Sequence, residues 1–559
     1  MDLVKNIQIQ LAQALTQAAN RAKEAGALRF TALPAFVIEV PREKEHGDFA
    51  SNLAMLLTRQ AKMNPRAIAA VLLQYLPQDG TWIRETEIAG AGFINFRLDQ
   101  AWLHQVLLAV VTEDLRYGWV PGPGTGVQVE FVSANPTGLL HMGNARGAAL
   151  GDTIANLLTA AGYQVTREFY INDTGNQIEN FTLSLEARYL QALGQEVAFP
   201  EDGYHGQDLV ETVRRFIDQE GGQYLNADSV LRRDMLGRFA LAEKLDNIKE
   251  VLEQFGVHYD VWFSEQQLHV SGAVRETIAA LQEKGYLYEL EGAWWFKSTA
   301  FGDEKDEVVV RSNGTPTYFA ADLAYHRNKF ARGFDRVINI WGADHHGHVA
   351  RLHMGLQALG FNPDRTQIIL MQLVRLYQGG EILRMSKRTG QYITLNELID
   401  EVGTDAARYF FLMRSADSHL DFDLDLAKSQ TNENPVYYVQ YAHARVCSII
   451  RQAKASGVAL PAAQAVNFSL LREEAELALI RKIADLPSVI AGAAEVLEPH
   501  RLPHYAHELA SLFHGFYTVC RVLLDDPALR DARLVLVDAT RITLRNVLTI
   551  LGIAAPEQM

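Results

Sequence analysis

The sequence has little cysteine, no long apolar run and no excess of positive charge. Two cysteines occur in 559 residues, Cys447 and Cys520, which excludes a disulfide framework and a zinc site built on paired CxxC motifs. No uninterrupted apolar run of about 18 residues is present that could span a bilayer. The N-terminal segment alternates apolar and polar residues at helical spacing, unlike a targeting peptide. We therefore expect a cytoplasmic protein without a membrane partner.

The formal net charge of −15 argues against a protein that coats nucleic acid nonspecifically, since such a protein needs a broad positive field. We accordingly expect no DNA partner. A selective RNA partner stays open, because basic side chains can cluster locally on an acidic protein. With 48% hydrophobic residues, the chain can form several buried cores.

Changes of pattern divide the chain into three parts. Residues 1–115 combine helical spacing with the alternating strand "FINF" and predict a small α/β domain. Gly and Pro residues at 118–126 indicate a linker. Residues 122–426 alternate strands and helices, whereas 427–559 show helical spacing throughout and predict an all-helical domain.

Two strand–helix–strand units in the middle part predict a doubly wound parallel sheet. The first unit has a strand at 127–131, a helix that includes 150–161 and a strand at 163–171. The second starts with a strand at 337–341 and continues through a helix that ends at Gly360 to the strand "QIILMQLV". Ligands bind beyond the carboxyl ends of the strands in such sheets, where both units carry unusual polar clusters.

The cluster "HMGN" at 141–144 suits a phosphate group. A helix N-terminus has unpaired N–H groups and a partial positive charge, Gly143 allows close approach, and His141 supplies a further donor. The basic loop "LRMSKRTG" offers Lys387 as a second polyphosphate ligand. Taken singly, His141 could equally be satisfied by a loop carbonyl, and Lys387 would more often belong to a solvated turn.

The second polar cluster, "GADHHGH", raises the alternative of a metal site, since four histidines lie between 345 and 353. No HExxH pair and no nearby cysteine accompany them, and consecutive histidines on a helix point in different directions. We therefore expect no metal at this cluster.

These motifs resemble the two signatures of class I aminoacyl-tRNA synthetases. "HMGN" resembles HIGH with Asn144 in place of the last histidine, and "RMSKR" resembles KMSKS without its first lysine and last serine but with Lys387 retained. Further stretches are similar to the arginyl-tRNA synthetase family in particular, up to the last residue: "VEFVSANPTG", "YINDTGNQ", "FGVHYDVWFSE", "GADHHGH", "YVQYAHAR" and "RNVLTILGIAAPEQM".

The resemblance implies ATP-dependent activation of L-arginine to arginyl-adenylate and transfer to the 3′ end of tRNA(Arg). It implies a Rossmann-type catalytic domain at 122–426, between a domain at 1–115 that contacts the tRNA D-loop and an anticodon-binding domain at 427–559. Mg²⁺ would accompany ATP, without a tightly bound metal. The catalytic residues implied are His141, Asn144 and Lys387. The ATP-binding residues implied are Gly143, Gly342, Asp344, His348, Met385 and Ser386.

For the amino acid, chemistry and resemblance agree, because a guanidinium group pairs best with carboxylates. The resemblance assigns Glu130 and Asp322 to arginine, with help from Asn135 and Tyr318, and places His345 facing the amino acid. Taken singly, each carboxylate could instead be a surface acid or a helix N-cap.

For tRNA, the resemblance assigns Phe93 and Asn95 to the D-loop, and we expect Tyr441 and Met559 to contact tRNA as well. An aromatic and polar face in the helical domain could stack unpaired anticodon bases, although aromatics at helical spacing more often belong to a core. We expect a monomer. The residues of this face are Tyr437, Tyr438, Tyr441 and His443.

Two other functions stay open at this point. Another nucleotidyltransferase of the same superfamily could act on a small metabolite, but the terminal domains would then have no purpose. A catalytically silent RNA-binding relative is expected to lose His141 or Lys387, and both residues are present.

Overall fold

The computed structural model describes residues 2–41, 43–77, 82–383 and 393–559 of the chain. Within those ranges, no helix has both the length and the apolar character needed to cross a bilayer. The N-terminal region is an antiparallel sheet covered by helices. Its elements are α1 (Leu3–Glu24), β1 (Ile38–Glu39), β2 (Phe49–Ser51), α2 (Leu53–Ala61), α3 (Pro65–Gln74), β3 (Ile83–Ala89), β4 (Phe93–Leu98) and α4 (Ala101–Glu113).

The strand "FINF" is β4, and it occupies an internal position in the order β1-β2-β4-β3. Alternation of apolar and polar residues is typical of a strand with one open face, but Asn95 is buried like its neighbours Ile94 and Phe96. Helices α2 and α3 contact this strand. Alternating polarity indicates a strand but does not establish that one face is open.

The middle region contains the predicted doubly wound sheet and several additional elements. Those elements are β5 (Gly126–Glu130), α5 (Met142–Ala160), β6 (Gln164–Ile171), α6 (Asn176–Ala192), α7 (Gln207–Glu220), α8 (Ser229–Gln254), β7 (Val261–Ser264), α9 (Glu265–Val270), α10 (Ala273–Glu283), β8 (Leu287–Leu290), β9 (Ala293–Phe296), β10 (Glu307–Val310), α11 (Tyr318–Ala331), β11 (Arg336–Gly342), α12 (His346–Leu359), β12 (Thr366–Met371), β13 (Val374–Gln378), β14 (Glu381–Leu383), α13 (Leu395–Val402), α14 (Thr404–Leu412), β15 (Leu420–Asp423) and α15 (Leu424–Lys428).

The five parallel strands lie in the order β12-β11-β5-β6-β7. The chain starts at the central β5, builds the sheet outward through β6 and β7, and then returns to add β11 on the other side of β5. The strand order therefore reverses between β5 and β11, and ligands bind at such a reversal in doubly wound sheets. Both predicted strand–helix–strand units are confirmed, and their polar clusters meet at this point.

Two insertions interrupt this sheet, one between β6 and β7 and the other between β7 and β11. Helices α6, α7 and α8 have their own hydrophobic core. The second insertion carries a three-stranded antiparallel sheet, β8 to β10, and packs its apolar residues against α11 and α12.

The C-terminal region is helical, as predicted, and its last residues pack against its first helix. His443 Nδ1 lies 2.9 Å from the backbone oxygen of Pro556, and Arg451 donates to the backbone oxygen of Glu557 at 2.9 Å. The helices are α16 (Pro435–Ala455), α17 (Glu474–Ala484), α18 (Leu486–Val496), α19 (Arg501–Val519) and α20 (Pro527–Leu551).

A buried guanidinium group joins this region to the catalytic sheet. Arg408 of α14 is fully buried and donates to Asp152 of α5 at 2.6 Å. It also donates to the backbone oxygens of Phe255, after α8, at 3.1 Å and of Leu551, at the end of α20, at 3.0 Å. Three segments distant in sequence therefore share one cation.

The Gly and Pro segment that was predicted as a linker is packed rather than loose. The backbone N–H of Gly124 donates to Gly162 at 3.2 Å, and a Cβ on Gly122 would lie 2.1 Å from the backbone oxygen of Ala161. Glycine at 122 therefore allows the chain to cross the end of α5 in direct contact.

Candidate active site

A cavity of about 1890 Å³ opens at the carboxyl ends of β5 and β11, where the strand order reverses. The α6–α8 insertion closes it from the opposite side through residues 201–209. Residues far apart in the sequence therefore meet around one space. The sequence-predicted residues that line it are Glu130, Asn135, His141, Asn144, Tyr318, Asp322, Gly342, Asp344, His345 and His348.

His141 and Asn144 cap α5 reciprocally. The backbone N–H of Gly143 donates to Nδ1 of His141 at 3.1 Å, and the backbone N–H of His141 donates to Oδ1 of Asn144 at 3.0 Å. Because Nδ1 accepts a hydrogen bond, the neutral imidazole carries its proton on Nε2. Both side chains are thus fixed at the start of α5, where they line the cavity.

Gly143 has a second role that sequence reasoning did not find. A Cβ at this position would lie 3.0 Å from Cε1 and 3.2 Å from Nδ1 of His141. The glycine therefore makes room for the imidazole ring as well as for an approaching ligand.

The segment that follows the "RMSKR" motif reaches the same turn. Met142 N–H donates to the backbone oxygen of Ile393 at 3.2 Å, and Leu395 N–H donates to that of Leu140 at 2.8 Å. Met385, Ser386 and Lys387 themselves lie outside the described residues.

Asp322 on α11 and His348 on α12 form an ion pair within the cavity. Nε2 of His348 lies 2.6 Å from Oδ2 of Asp322, and Nδ1 of His326 lies 3.5 Å from Oδ1. Burial alone would raise the pKa of Asp322, but the hydrogen bonds from His326 and His348 outweigh it and hold that pKa well below its usual range. Burial alone would lower the pKa of His348, but the bond to Asp322 raises it above its ordinary value. Each partner therefore stabilises the charged form of the other.

Glu130 ends β5 in a strained and buried turn. Val132 and Ser133 both have positive φ, 68° and 41°, a conformation that costs a β-branched residue energy and often marks functional sites. Ser133 Oγ donates to Glu130 Oε1 at 2.9 Å, and Lys329 Nζ lies 2.6 Å from Oε2. The carboxylate was expected here from the sequence, but its buried cation was not.

Asn135 and Tyr318 lie at the edge where the insertion meets the sheet. Asn135 donates to Gln177 of α6. Tyr318 begins α11 and is 53% exposed, and its hydroxyl oxygen would lie 3.2 Å from a Cβ on Gly175. Both side chains therefore face the start of the helical insertion.

The second polar cluster spreads its side chains in several directions. Asp344 and His345 are exposed, whereas His353 points back to the sheet, with Nε2 3.1 Å from the backbone oxygen of Thr366. Across the described ranges, no group of three or more His, Cys, Asp or Glu side chains is placed to hold a metal ion.

Several cavity residues were missed by sequence reasoning. The ring of Trp341 lies 5.6 Å from that of His348. Glu265 and Tyr170 line the cavity, and burial together with the charge of Glu265 raises the pKa of Tyr170 far above its ordinary value. Trp341 was read only as the apolar end of a strand, and no spacing connected Glu265 to the signatures.

The predicted tRNA contacts lie in two places away from the cavity. Phe93 is half-buried on β4, and Asn95 beside it is buried, with no hydrogen-bond partner for its Nδ2. Tyr441 is half-buried on α16, where its ring stacks 5.9 Å from that of His514. Met559 is exposed at the end of the tail that packs on α16.

Of the aromatic and polar face predicted on α16, His443 belongs to the packing of the helical region. It is buried against the C-terminal tail. The face that remains is Tyr437, Tyr438 and Tyr441, with His507 and His514 of α19 beside them.

Comparison with known proteins finds related sequences along the whole chain. Family models match in order: "Arginyl tRNA synthetase N terminal domain" at residues 5–98, "tRNA synthetases class I (R), catalytic domain" at 108–414 and "DALR anticodon binding domain" at 439–559. The sequence is 68% identical to an arginine–tRNA ligase of Moorella thermoacetica and 62% identical to one of Heliobacterium modesticaldum, each over 100% of both chains.

Solved structures show the same fold. Arginyl-tRNA synthetase from Thermus thermophilus superimposes with a TM-score of 0.74 at 24% identity, covering 99% of this chain and 100% of that one. The enzyme from Plasmodium falciparum gives a TM-score of 0.73 at 16% identity, covering 99% of each chain.

Proposed function

This chain belongs to the arginyl-tRNA synthetase family, and from that premise we propose how its residues share the work. The protein is an aminoacyl-tRNA ligase. It activates L-arginine with ATP to arginyl-adenylate and transfers the arginyl group to the 3′ end of tRNA(Arg). The observation that carries our assignment of residues is the convergence of the "HMGN" and "GADHHGH" clusters on one cavity at the reversal between β5 and β11.

We propose that the start of α5 binds the triphosphate. His141 and Asn144 are oriented by their reciprocal cap, and their donor groups would meet phosphate oxygens where the helix dipole favours negative charge. Gly143 would allow close approach. Lys387 would hold the β- and γ-phosphates as pyrophosphate leaves.

We propose that Gly342, Asp344 and His348 bind the ribose and base of ATP, with Met385 and Ser386 completing the site. Mg²⁺ would enter with ATP on its phosphates, where it adds charge neutralisation.

We propose that Glu130 and Asp322 bind arginine, assisted by Asn135, Tyr318 and His345. The two carboxylates lie at the reversal, on β5 and α11, and line the same cavity. The guanidinium fork suits carboxylates better than any other side chain. Asp322 is held ionised by its histidines, so it is ready to exchange His348 for the substrate cation.

In the chemical step, a carboxylate oxygen of arginine attacks the α-phosphorus of ATP and the bond to pyrophosphate breaks. A hydroxyl of the terminal ribose of tRNA then attacks the arginyl carbonyl and AMP leaves. The side chains of this site position the reactants and stabilise the developing charge, without a covalent bond between enzyme and substrate.

We propose three domains, at 1–115, 122–426 and 427–559, with tRNA contacting the first and the last. Phe93 and Asn95 would meet the D-loop, and Tyr441 and Met559 the anticodon region. The docking of the C-terminal tail on α16 supports this, because it places Met559 at the end of the segment that packs on the helix of Tyr441. We also propose that the protein acts in the cytoplasm as a monomer, without DNA or membrane partners.

Arginine-dependent exchange of pyrophosphate into ATP, measured with and without tRNA, tests these assignments. Lys387→Ala should slow exchange by about 2.7 to 4 kcal/mol of lost transition-state stabilisation, as for one preorganised donor. Its tRNA affinity should stay normal. An exchange rate within about threefold of wild type would remove Lys387 from the proposed mechanism.

A further inference from the structure

A buried chain of hydrogen bonds behind the cavity connects the two carboxylates proposed for arginine. It begins at Lys329, whose side chain has no exposed surface. Lys329 Nζ lies 2.6 Å from Glu130 Oε2 and 2.8 Å from Asn339 Oδ1, with the ring of Tyr325 at 4.2 Å. Glu130 and Asn339 are register partners on β5 and β11, which is why one ammonium group reaches both.

The chain continues from Asn339 to Asp322. Nδ2 of Asn339 lies 2.6 Å from Nε2 of His326. On the other side of the ring, His326 Nδ1 lies 2.9 Å from the backbone oxygen of Asp322 and 3.5 Å from its Oδ1. Asn339 and His326 are fully buried, so water cannot replace a lost partner without entering the core.

The positive charge of Lys329 determines which group donates and which accepts in each hydrogen bond of this chain. An ammonium group only donates, so the oxygen of the Asn339 amide must face Lys329 and its NH₂ must face His326. The NH₂ group also only donates, so Nε2 of His326 must accept. The neutral ring then carries its proton on Nδ1, where it donates to Asp322.

We propose that Lys329 is a positioning residue for arginine recognition, which sets Glu130 directly and Asp322 through Asn339 and His326. The inference rests on the proposed binding of arginine by those two carboxylates. Lys329 touches neither ATP nor arginine in this scheme. It fixes one carboxylate by an ion pair and the hydrogen bonding of the other through the tautomer of His326.

A purely structural ion pair does not explain the arrangement. The connection between α11 and β6 already has its own pair, since Arg332 donates to both oxygens of Glu168 at 2.5 and 2.8 Å. Lys329 also donates one of its hydrogen bonds to Asn339 rather than to a second carboxylate. Only the bond to Asn339 connects Lys329 with Asp322.

The sequence carries this arrangement on one helix face. Asp322, His326 and Lys329 lie at positions i, i+4 and i+7 of α11, and side chains at this spacing point the same way. The chain of hydrogen bonds therefore depends on three side chains that α11 presents on one face.

The test measures pyrophosphate exchange at saturating tRNA with Lys329→Met, which keeps the length of the side chain and removes its charge. We expect the arginine KM to rise about tenfold or more, as for loss of a hydrogen bond to a charged group. The KM for ATP should change less than the arginine KM, because the chain reaches the proposed ATP-binding residue His348 only through Asp322.

One double variant and one spectroscopic measurement isolate the two branches, to Glu130 and to Asp322. Lys329→Met combined with Glu130→Gln leaves no unpaired buried charge, and it should still have a higher arginine KM than Glu130→Gln alone, because the branch to Asp322 is also lost. Nitrogen-15 spectra of ring-labelled histidine, assigned with His326→Gln, should show a bare Nε2 on His326 in the wild type. Lys329→Met should change that signal.

The matched control is Arg533→Met, which breaks another buried pair, with Glu476 at 2.7 Å, far from the cavity. It should lower stability and leave the arginine KM unchanged. The proposal would be overturned if Nε2 of wild-type His326 carried a proton. It would also be overturned if the arginine KM of Glu130→Gln were the same with and without Lys329→Met. If instead Glu130→Gln and Asp322→Asn leave the arginine KM unchanged, the proposed arginine site is wrong and this inference fails with it.

Discussion

His348 and Asp322 hold each other across the cavity, with 2.6 Å between Nε2 and Oδ2. One residue is proposed for ATP and the other for arginine, so the two substrate sites are joined before either substrate arrives. An arginine side chain that bound Oδ2 of Asp322 would displace His348, and the imidazole would then be available on the nucleotide side.

The Asp322–His348 pair should make stability depend on pH. The pKa of His348 is raised above its ordinary value of 6.5, so its contribution is fully present below that value and is lost as pH rises through the raised pKa. Asp322 stays ionised in this window because its pKa is depressed. His348→Gln should therefore lower the free energy of unfolding by about 1 to 3 kcal/mol near pH 6, and by less near pH 9. Urea unfolding at both pH values measures this, and equal losses would contradict it.

Gly143→Ala and Gly147→Ala make the same change one turn apart on α5. At 143 the new Cβ would press on the ring of His141 at 3.0 Å, and displacing a catalytic group by this much should slow activation about ten- to a hundredfold. At 147 the nearest atom would be Met371 Cε at an ordinary 3.6 Å. Gly147→Ala should keep its activity and gain about 0.5 to 1 kcal/mol of stability. Single-turnover activation assays and thermal unfolding compare the two, and equal activities would show that the ring tolerates the contact.

Glu130→Gln should reduce discrimination between arginine and its neutral isostere citrulline. Citrulline carries a neutral group with a carbonyl oxygen where arginine carries a cation with only N–H donors, so it is penalised at a carboxylate, and sites that require a substrate donor reject analogues without it by roughly 10⁴ to 10⁵. With glutamine the penalty falls, so kcat/KM for arginine should drop more than that for citrulline.

The ratio of the two values is the quantity to measure, because it does not depend on the fraction of folded enzyme. That matters here, since Glu130→Gln also leaves Lys329 buried without its carboxylate, a loss of about 3 to 5 kcal/mol when a buried pair is broken. Equal losses for both amino acids would make Glu130 a structural acid at the strand end.

Phe93→Ala and Asn95→Ala should separate tRNA contact from packing in the N-terminal sheet. A stacked base is worth about 1 to 3 kcal/mol, so Phe93→Ala should raise the KM for tRNA and leave that for arginine unchanged. Asn95 is buried, so a tRNA role requires β4 to open. If Asn95→Ala unfolds at lower temperature but binds tRNA normally, the residue belongs to the core.

The sequence predicted those parts of the fold that depend on local periodicity. The strand and helix spacings around 127–171 and 337–371 correspond to β5, α5, β6, β11, α12 and β12, and the polar residues after β5 and β11 indicated the site. The spacings and the polar residues each involve positions that lie close together in the sequence. The insertion helices α6 to α8 also have helical spacing, but nothing local shows that they close the cavity.

Lys329 shows why the remainder could not be read from the sequence. A lysine near the end of a helix normally reaches solvent, and only the pairing of β5 with β11 places Glu130 and Asn339 opposite it. The same holds for His348, whose partner Asp322 lies on a different helix. Asp322, His326 and Lys329 do repeat along one face of α11 at helical spacing, and that pattern is a signal that could have revealed them.

Arg408 limits where this chain can be recombined with its relatives. Its guanidinium group is shared by Asp152, Phe255 and Leu551, so a chimera with a breakpoint near residue 427 would keep the cation and replace one of its acceptors. In such a chimera, the backbone oxygen at the end of α20 would have to lie within hydrogen-bonding distance of Arg408. Otherwise this fully buried donor would be left unsatisfied. The last helix therefore has to be exchanged as a partner matched to α14, and a breakpoint that leaves this contact intact should give the better-folded hybrid enzymes.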